Sequence, residues 1–281
     1  MKHILLPTDF SENAWNAISY AIQLFKNDTC TFHILNTYEQ IIYRSEYVTG
    51  TSPQQIVMDK LQKESLGRLE EINHKIQTTF GQNIKHTFKT YSKVDKLLPC
   101  IKLFVLKNNI NLVIMGTKGS TGATEVLFGS NTVHVFKEVK CPVIAIPSGY
   151  TYAKPKNILI PNDLEVDFNS LQMKSLQDIL KNNNAILNTL FVSNKMDLTQ
   201  EQTWSKSLLE SLFKASNFRF QIVNYNSINE AIKEFQNKTD IEMLAMVNNK
   251  HNFLENLFFK NKIDQIGSHL KVPFMVIPAS R

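Results

Sequence analysis

The chain has 281 residues, 43% hydrophobic and 20% charged, the balance of a globular protein with one large domain or two of ordinary size. Its net charge of +6 comes from 31 basic and 25 acidic residues. The basic ones stand singly along helical patterns, as Lys60, Lys63, Arg68 and Lys75 do, so no clustered stripe for nucleic acid is present.

Only Ile4–Leu6 precedes Pro7, too short an apolar run for a secretory leader, and no stretch approaches the roughly 20 apolar residues of a membrane span. A cytoplasmic protein is expected. Cys30, Cys100 and Cys141 lack CxxC spacing and a Cys/His cluster, so they read as small buried or half-buried thiols.

In chain order, Ile4–Leu6 reads as a buried strand. Ala14, Ile18, Ala21, Ile22 and Phe25 make a helical stripe, and Thr31–Leu35 a strand. A long amphipathic helix is predicted from Ile56 to about Phe80, then a strand over Ile84–Tyr91 and a helix over Asp95–Lys107. Leu112–Met115 is a buried strand; a loop, a helix to about Lys137 and the strand Val143–Ile146 follow. Strands are then predicted near 157–160, 186–192, 218–224, 242–247 and 274–277, with helices between.

The second set repeats the first. His3-Ile-Leu-Leu-Pro-Thr-Asp-Phe10 recurs as Asn157-Ile-Leu-Ile-Pro-Asn-Asp-Leu164. Cys141-Pro-Val-Ile-Ala-Ile-Pro147 recurs as Val272-Pro-Phe-Met-Val-Ile-Pro278. The second copy is shorter, mainly because it lacks a segment matching 38–55. Unbroken apolar strands separated by helices indicate parallel sheets covered on both faces. The expected fold class is therefore α/β: two tandem doubly wound domains, each a five-stranded, mostly parallel sheet flanked by helices. The expected boundaries are 1–148, a linker over 149–156, and 157–281. The closing strands Val143–Ile146 and Phe274–Ile277 are apolar edges that need cover. In such folds ligands bind beyond the carboxyl ends of the strands.

After the strand ending at Met115 comes Gly116-Thr-Lys-Gly119-Ser-Thr-Gly122, and then Gly129-Ser-Asn-Thr132 at a helix start. Four of the nine glycines lie in this stretch. Bare amides can form an anion nest, and a helix N-terminus favours phosphate. Ser130 and Thr132 add hydroxyl donors, and Lys118 a charge. Asp9 reads either as a site residue or as a helix cap; capping by Ser11 favours the site.

The G-x2-G-x9-G-[ST] spacing, with an early strand ending in Pro7-Thr-Asp-Phe-Ser11, resembles the universal stress protein (UspA) family, in its ATP-binding subclass. The resemblance extends over the whole chain as two copies of a Rossmann-like fold of the adenine nucleotide alpha hydrolase type. It implies an adenine nucleotide, ATP or its products ADP and AMP, with Mg2+ as an option. It places Pro7, Thr8 and Asp9 on the ribose and phosphate wall, with Asp9 able to act through a metal. Backbone at Ile34 would meet the adenine and backbone at Met115 the ribose. Gly116, Gly119, Gly129, Ser130 and Asn131 would hold the phosphates. It also implies that the closing strands of the two copies pair within one chain, and it leaves a further homodimer open.

The second copy departs from this pattern. Aligning Glu255-x-Leu-Phe258 with Glu125-x-Leu-Phe128 puts Phe259 at the place of Gly129 and Lys260 at that of Ser130. Asp163 still matches Asp9, but no nucleotide is expected there, and His251 reads as a lone surface histidine. No GxxxxGK[ST] loop, dinucleotide fingerprint or G-x-S-x-G elbow is present, and no carboxylate pair or His base is expected at the loop. The sequence thus points to a module that holds ATP. A slow ATPase or an autokinase modifying Ser130 or Thr132 is the alternative, and a structural pseudo-dimer with an empty site is the third.

Overall fold

The computed structural model describes residues 1–39, 53–118, 128–164, 170–193, 197–225, 227–248 and 271–279. The first part runs β1 (Lys2–Pro7), α1 (Glu12–Leu24), β2 (Cys30–Tyr38), α2 (Pro53–Phe80), β3 (His86–Val94), α3 (Leu97–Lys107), β4 (Leu112–Gly116), α4 (Ser130–Glu138) and β5 (Val143–Ile146). The second runs β6 (Asn157–Asn162), α5 (Ser170–Asn183), β7 (Ile186–Val192), α6 (Gln200–Leu212), β8 (Asn217–Val223), α7 (Ile228–Lys238), β9 (Met243–Asn248) and β10 (Phe274–Pro278).

The strands form one sheet, in the order β3-β2-β1-β4-β5-β10-β9-β6-β7-β8. Within each set of five, neighbours pair in parallel. Only β5 and β10 run antiparallel, with Phe274 opposite Ala145, Met275 opposite Ile144 and Val276 opposite Val143. The fold is the expected α/β class, a mostly parallel sheet flanked by helices in a tandem Rossmann-like arrangement.

Side chains alternate across this sheet because successive strand residues point to opposite faces. Ile4, Leu6 and Ile34 face α1 and α2, while Ile158, Ile160 and Leu187 face α5 and α6. On the other face Leu5, Leu35 and Val113 pack with α3 and α4, and Leu159 and Leu190 with α7. The central strands are buried on both faces, which is why they read as continuous apolar runs.

The repeat extends to the backbone. Phe10 (φ 65°) and Leu164 (φ 58°) occupy the left-handed region at the same turn of each copy. That conformation costs a non-glycine residue roughly 1–2 kcal/mol, so packing must hold it. Phe10 is held beneath Arg68, whose guanidinium lies 4.4 Å from the ring centre, and its N–H donates to Thr8 Oγ1 at 3.0 Å.

Element ends differ from expectation where local turns intervene. β3 begins at His86, not Ile84. Asn83 accepts from the Lys85 N–H through its side chain and from the His86 N–H through its backbone, forming a turn that leaves Ile84 fully exposed. β2 continues to Tyr38 rather than stopping at Leu35, because β3 pairs with it along its whole length.

A half-buried polar chain links His3 Nδ1 to His33 Nε2 (3.1 Å) and His33 Nδ1 to Tyr91 Oη (3.1 Å). Burial, followed by the charges of His3 and Lys89, pushes the His33 imidazole from 6.5 down to about 4. The unfolded chain therefore takes up this proton first as pH falls, and the stability tied to neutral His33 is lost from about pH 6.5 toward pH 4. Asn188 occupies the matching position in the second copy, opposite Leu159 as His33 is opposite Leu5. His33→Asn should flatten this acid limb, read as denaturant midpoints across that window; an unchanged limb would show that His33 does not govern it.

Candidate nucleotide site

The carboxyl ends of β1, β2 and β4 meet the starts of α3 and α4 around a cavity of about 670 Å3, within the range of small-molecule pockets. Of the sequence-predicted residues, Pro7, Thr8, Asp9, Met115, Gly116, Lys118, Gly129, Ser130, Asn131 and Thr132 line it. Gly119 lies outside the described residues, as do Gly122, Phe259, Lys260 and His251.

Ile34 is a correction. It is fully buried in mid-strand, paired with Leu6 on one side and Thr90 on the other, and does not line the cavity. Because β2 runs on to Tyr38, the residues at its carboxyl end that do so are Thr37 and Tyr38, followed by Glu39. Sequence reasoning also missed the wall from Asp95 to Pro99 and the α4 residues His134 and Glu138. The turn after β3 was findable from the rule that sites lie beyond strand ends. His134 and Glu138 could be found only by continuing α4 past its first turn, one and two turns beyond Ser130.

Thr132 also needs revision. Its hydroxyl is buried and donates to the carbonyls of Gly116 (3.1 Å) and Thr117 (3.2 Å). A hydroxyl has one proton, shared here between the two carbonyls, so the Thr132 hydroxyl closes the loop onto α4 and is not a phosphate donor. Ser130 and Asn131 are exposed to the cavity.

The two described glycines of the loop do different work. A Cβ on Gly116 would lie 2.6 Å from Asn13 Nδ2 and 2.8 Å from its Cγ, so glycine is needed there to let α1 approach β4. Asn13 in turn donates to the Lys118 carbonyl at 2.9 Å, pinning the loop to α1. Gly129 has ordinary extended geometry (φ −62°, ψ 157°). Among the described residues, a Cβ there would meet only the Thr117 carbonyl at 3.6 Å and Lys118 Cα at 3.8 Å, so none of them requires glycine at 129.

Gly129 caps α4 without any side-chain bond, while its own N–H donates to the Thr117 carbonyl at 2.8 Å. The amides of Ser130, Asn131 and Thr132 precede the first intrahelical bonds and point, with the positive end of the helix dipole, toward the cavity. A bare N-cap, three amides and a hydroxyl form a donor set suited to an anion.

Around this centre, Ser11 caps α1 by accepting from the Ala14 N–H (3.2 Å), and Asp9 accepts from the Ser11 N–H (3.1 Å). Asp9 is therefore not the cap, and it is exposed at the cavity. Glu138 is held below the usual carboxylate range by its hydrogen bond to Lys102 at 2.6 Å. Among the described residues no three His, Cys, Asp or Glu side chains gather to hold a metal. Asp9 could hold one only together with oxygens of a ligand. Also among the described residues, no helix is long and apolar enough to cross a membrane.

The model of the universal stress protein family matches residues 1–147. Two universal stress proteins of Methanocaldococcus jannaschii, MJ0531 and MJ0577, are each 25% identical, over 156 and 158 residues. Each match spans 52% of this chain, with 81% of the first protein and 94% of the second covered. The crystal structure of a universal stress protein from Archaeoglobus fulgidus resembles the whole chain, with a TM-score of 0.64. That likeness covers 99% of this chain and 96% of the other at 16% identity, and so speaks for the fold. With a family match over more than half its length, set on the strand ends and glycine loop described above, the chain belongs to the universal stress protein family.

Proposed function

We propose that this chain is an ATP-binding stress-response module of the cytoplasm, with a single live site in a first domain over 1–148. A second domain over 157–281, joined by a linker over 149–156, is a degenerate copy. The observation that carries this reading is Gly129. Neither its backbone conformation nor packing among the described residues requires glycine there, whereas a phosphate lying against the bare start of α4 does. Phe259 at the matching position of the second copy would fill that space.

The cavity suits the rest of a nucleotide. Leu97, Leu98 and Pro99 supply an apolar lining with Thr37 and Tyr38 for a base, and Gly116, Lys118 and Gly129 line the same cavity. When bound, ATP brings its own charge and oxygen ligands, and Mg2+ would sit between these and Asp9. Pairing of the two copies through β5 and β10 gives each the edge cover it needs, within one chain.

Mass analysis of what co-purifies with the chain tests this reading. One equivalent of AMP, ADP or ATP per chain is expected. Absence of nucleotide together with no thermal shift on adding ATP would favour the empty pseudo-dimer. The enzymatic alternative narrows to Ser130, since Thr132 is buried and committed to the loop. Single-turnover hydrolysis with Mg2+ no faster than in buffer would set that alternative aside.

The pinning of the loop has its own measurable consequence. Asn13→Ala removes the bond to the Lys118 carbonyl, and a hydrogen bond of this kind contributes about 0.5–1.5 kcal/mol. ATP affinity by titration calorimetry should fall about 2- to 12-fold with the fold intact. An unchanged affinity would show that the loop holds its shape without α1.

A further inference from the structure

We propose that the exposed face of α2 is a self-association surface, on which a second copy of this chain lays its own α2 antiparallel. The helix is 28 residues long. Ser65, Leu69 and Ile76 turn its inner face to the sheet. Asp59, Lys63, Leu66, Gly67, Glu70 and His74 recur at three- and four-residue steps on the opposite, exposed face. Leu66 is 47% exposed there.

Gly67 is the telling residue. Glycine inside a helix costs roughly 0.5–1 kcal/mol relative to alanine. Among the described residues nothing calls for it, because a Cβ at Gly67 would meet no atom of theirs within 4 Å and its φ is not positive. Among the described residues, a shallow groove around it is lined by Asp59, Gln62, Lys63, Leu66, Gly67 and Glu70. A missing side chain at the middle of an exposed helix allows another helix backbone to come close, as the side chains at a crossing set the distance between axes.

The charges on this face complement themselves about that point. A two-fold axis passing between Leu66 and Gly67 sets Leu66 over the partner's Gly67. It brings Lys63 to the partner's Glu70, and Asp59 to the partner's His74. Each contact occurs twice, as an isologous two-fold interface requires. One helix pair falls short of the ~1,200 Å2 typical of stable interfaces, so the dimer forms and dissociates with concentration. The proposal rests on α2 alone and is independent of nucleotide binding.

Sedimentation equilibrium of the full chain across a hundredfold range of concentration tests it. A reversible monomer–dimer equilibrium is expected. Lys63→Glu, at an exposed position, should weaken it at least tenfold by opposing two like pairs. The swap Lys63→Glu with Glu70→Lys should restore it. Leu66→Lys, also exposed, should weaken dimerisation while circular dichroism stays unchanged. A monomer throughout the range, including the case in which α2 takes a helix of some other protein, would overturn the proposal. So would a dimer indifferent to Lys63→Glu, or one not recovered by the swap.

Discussion

Replacing Gly129 by Phe is expected to remove nucleotide binding while leaving the fold in place. The substitution copies into the first site the residue that the second copy carries at Phe259. The Cβ is accommodated at ordinary contact distance, 3.6 Å from the Thr117 carbonyl and 3.8 Å from Lys118 Cα, so the backbone need not move. As N-cap of α4 the position tolerates a change for about 1 kcal/mol. The ring must then enter the cavity in front of the Ser130 and Asn131 amides, where phosphate would lie. ATP at about 100 times its dissociation constant should stabilise the native chain by about 2.7 kcal/mol; in Gly129→Phe that stabilisation should vanish, a loss of at least about 100-fold in affinity. Gly129→Ala should fall between the two. Wild-type binding in both variants would mean that the loop does not cradle phosphate.

Phe274→Ala should be the most damaging single truncation at the join between the two copies. The Phe274 ring lies 5.6 Å from both Phe128 and Phe136, which are 5.4 Å from each other, and Phe274 is almost wholly buried. Burying such a ring and then deleting it typically costs about 3–5 kcal/mol, from lost transfer energy and the cavity left behind. Edge-to-face contacts add to that loss. The damage also reaches the site, because Phe128 immediately precedes Gly129. Urea unfolding should therefore show a midpoint well below wild type, and ATP affinity should fall as well, although Phe274 is not among the residues lining the cavity. Phe274→Leu should recover most of the stability. A loss under about 1 kcal/mol in Phe274→Ala would mean that the join relaxes around the missing ring.

Both expectations combine something readable in the linear chain with something that was not. The contrast between Gly129 and Phe259 is visible once the repeat is aligned, and so are the strands that bracket the loop. The Phe128–Phe136–Phe274 cluster is not, because its members come from a loop end, a helix and a strand brought together only by the antiparallel pairing of β5 and β10.

The sequence by itself determined the alternation of elements, the duplication and the place of the glycine loop. These are local properties: a period of two or 3.6 residues, a turn residue, and a motif repeated in order. Tertiary structure alone decided what each loop residue does. Gly116 is glycine because Asn13, more than a hundred residues earlier, presses against it. The Thr132 hydroxyl, a phosphate donor by sequence position, is bonded instead to the Gly116 and Thr117 carbonyls. Ile34 gave way to Thr37 and Tyr38 because β3 pairing carries β2 further than its apolar run. For Gly116 and Ile34 the physical reason is shared: crossover connections place residues distant in the chain side by side, whereas Thr132 closes onto residues 15 and 16 positions earlier. The distant contacts depend on strand order and register, which no local pattern encodes.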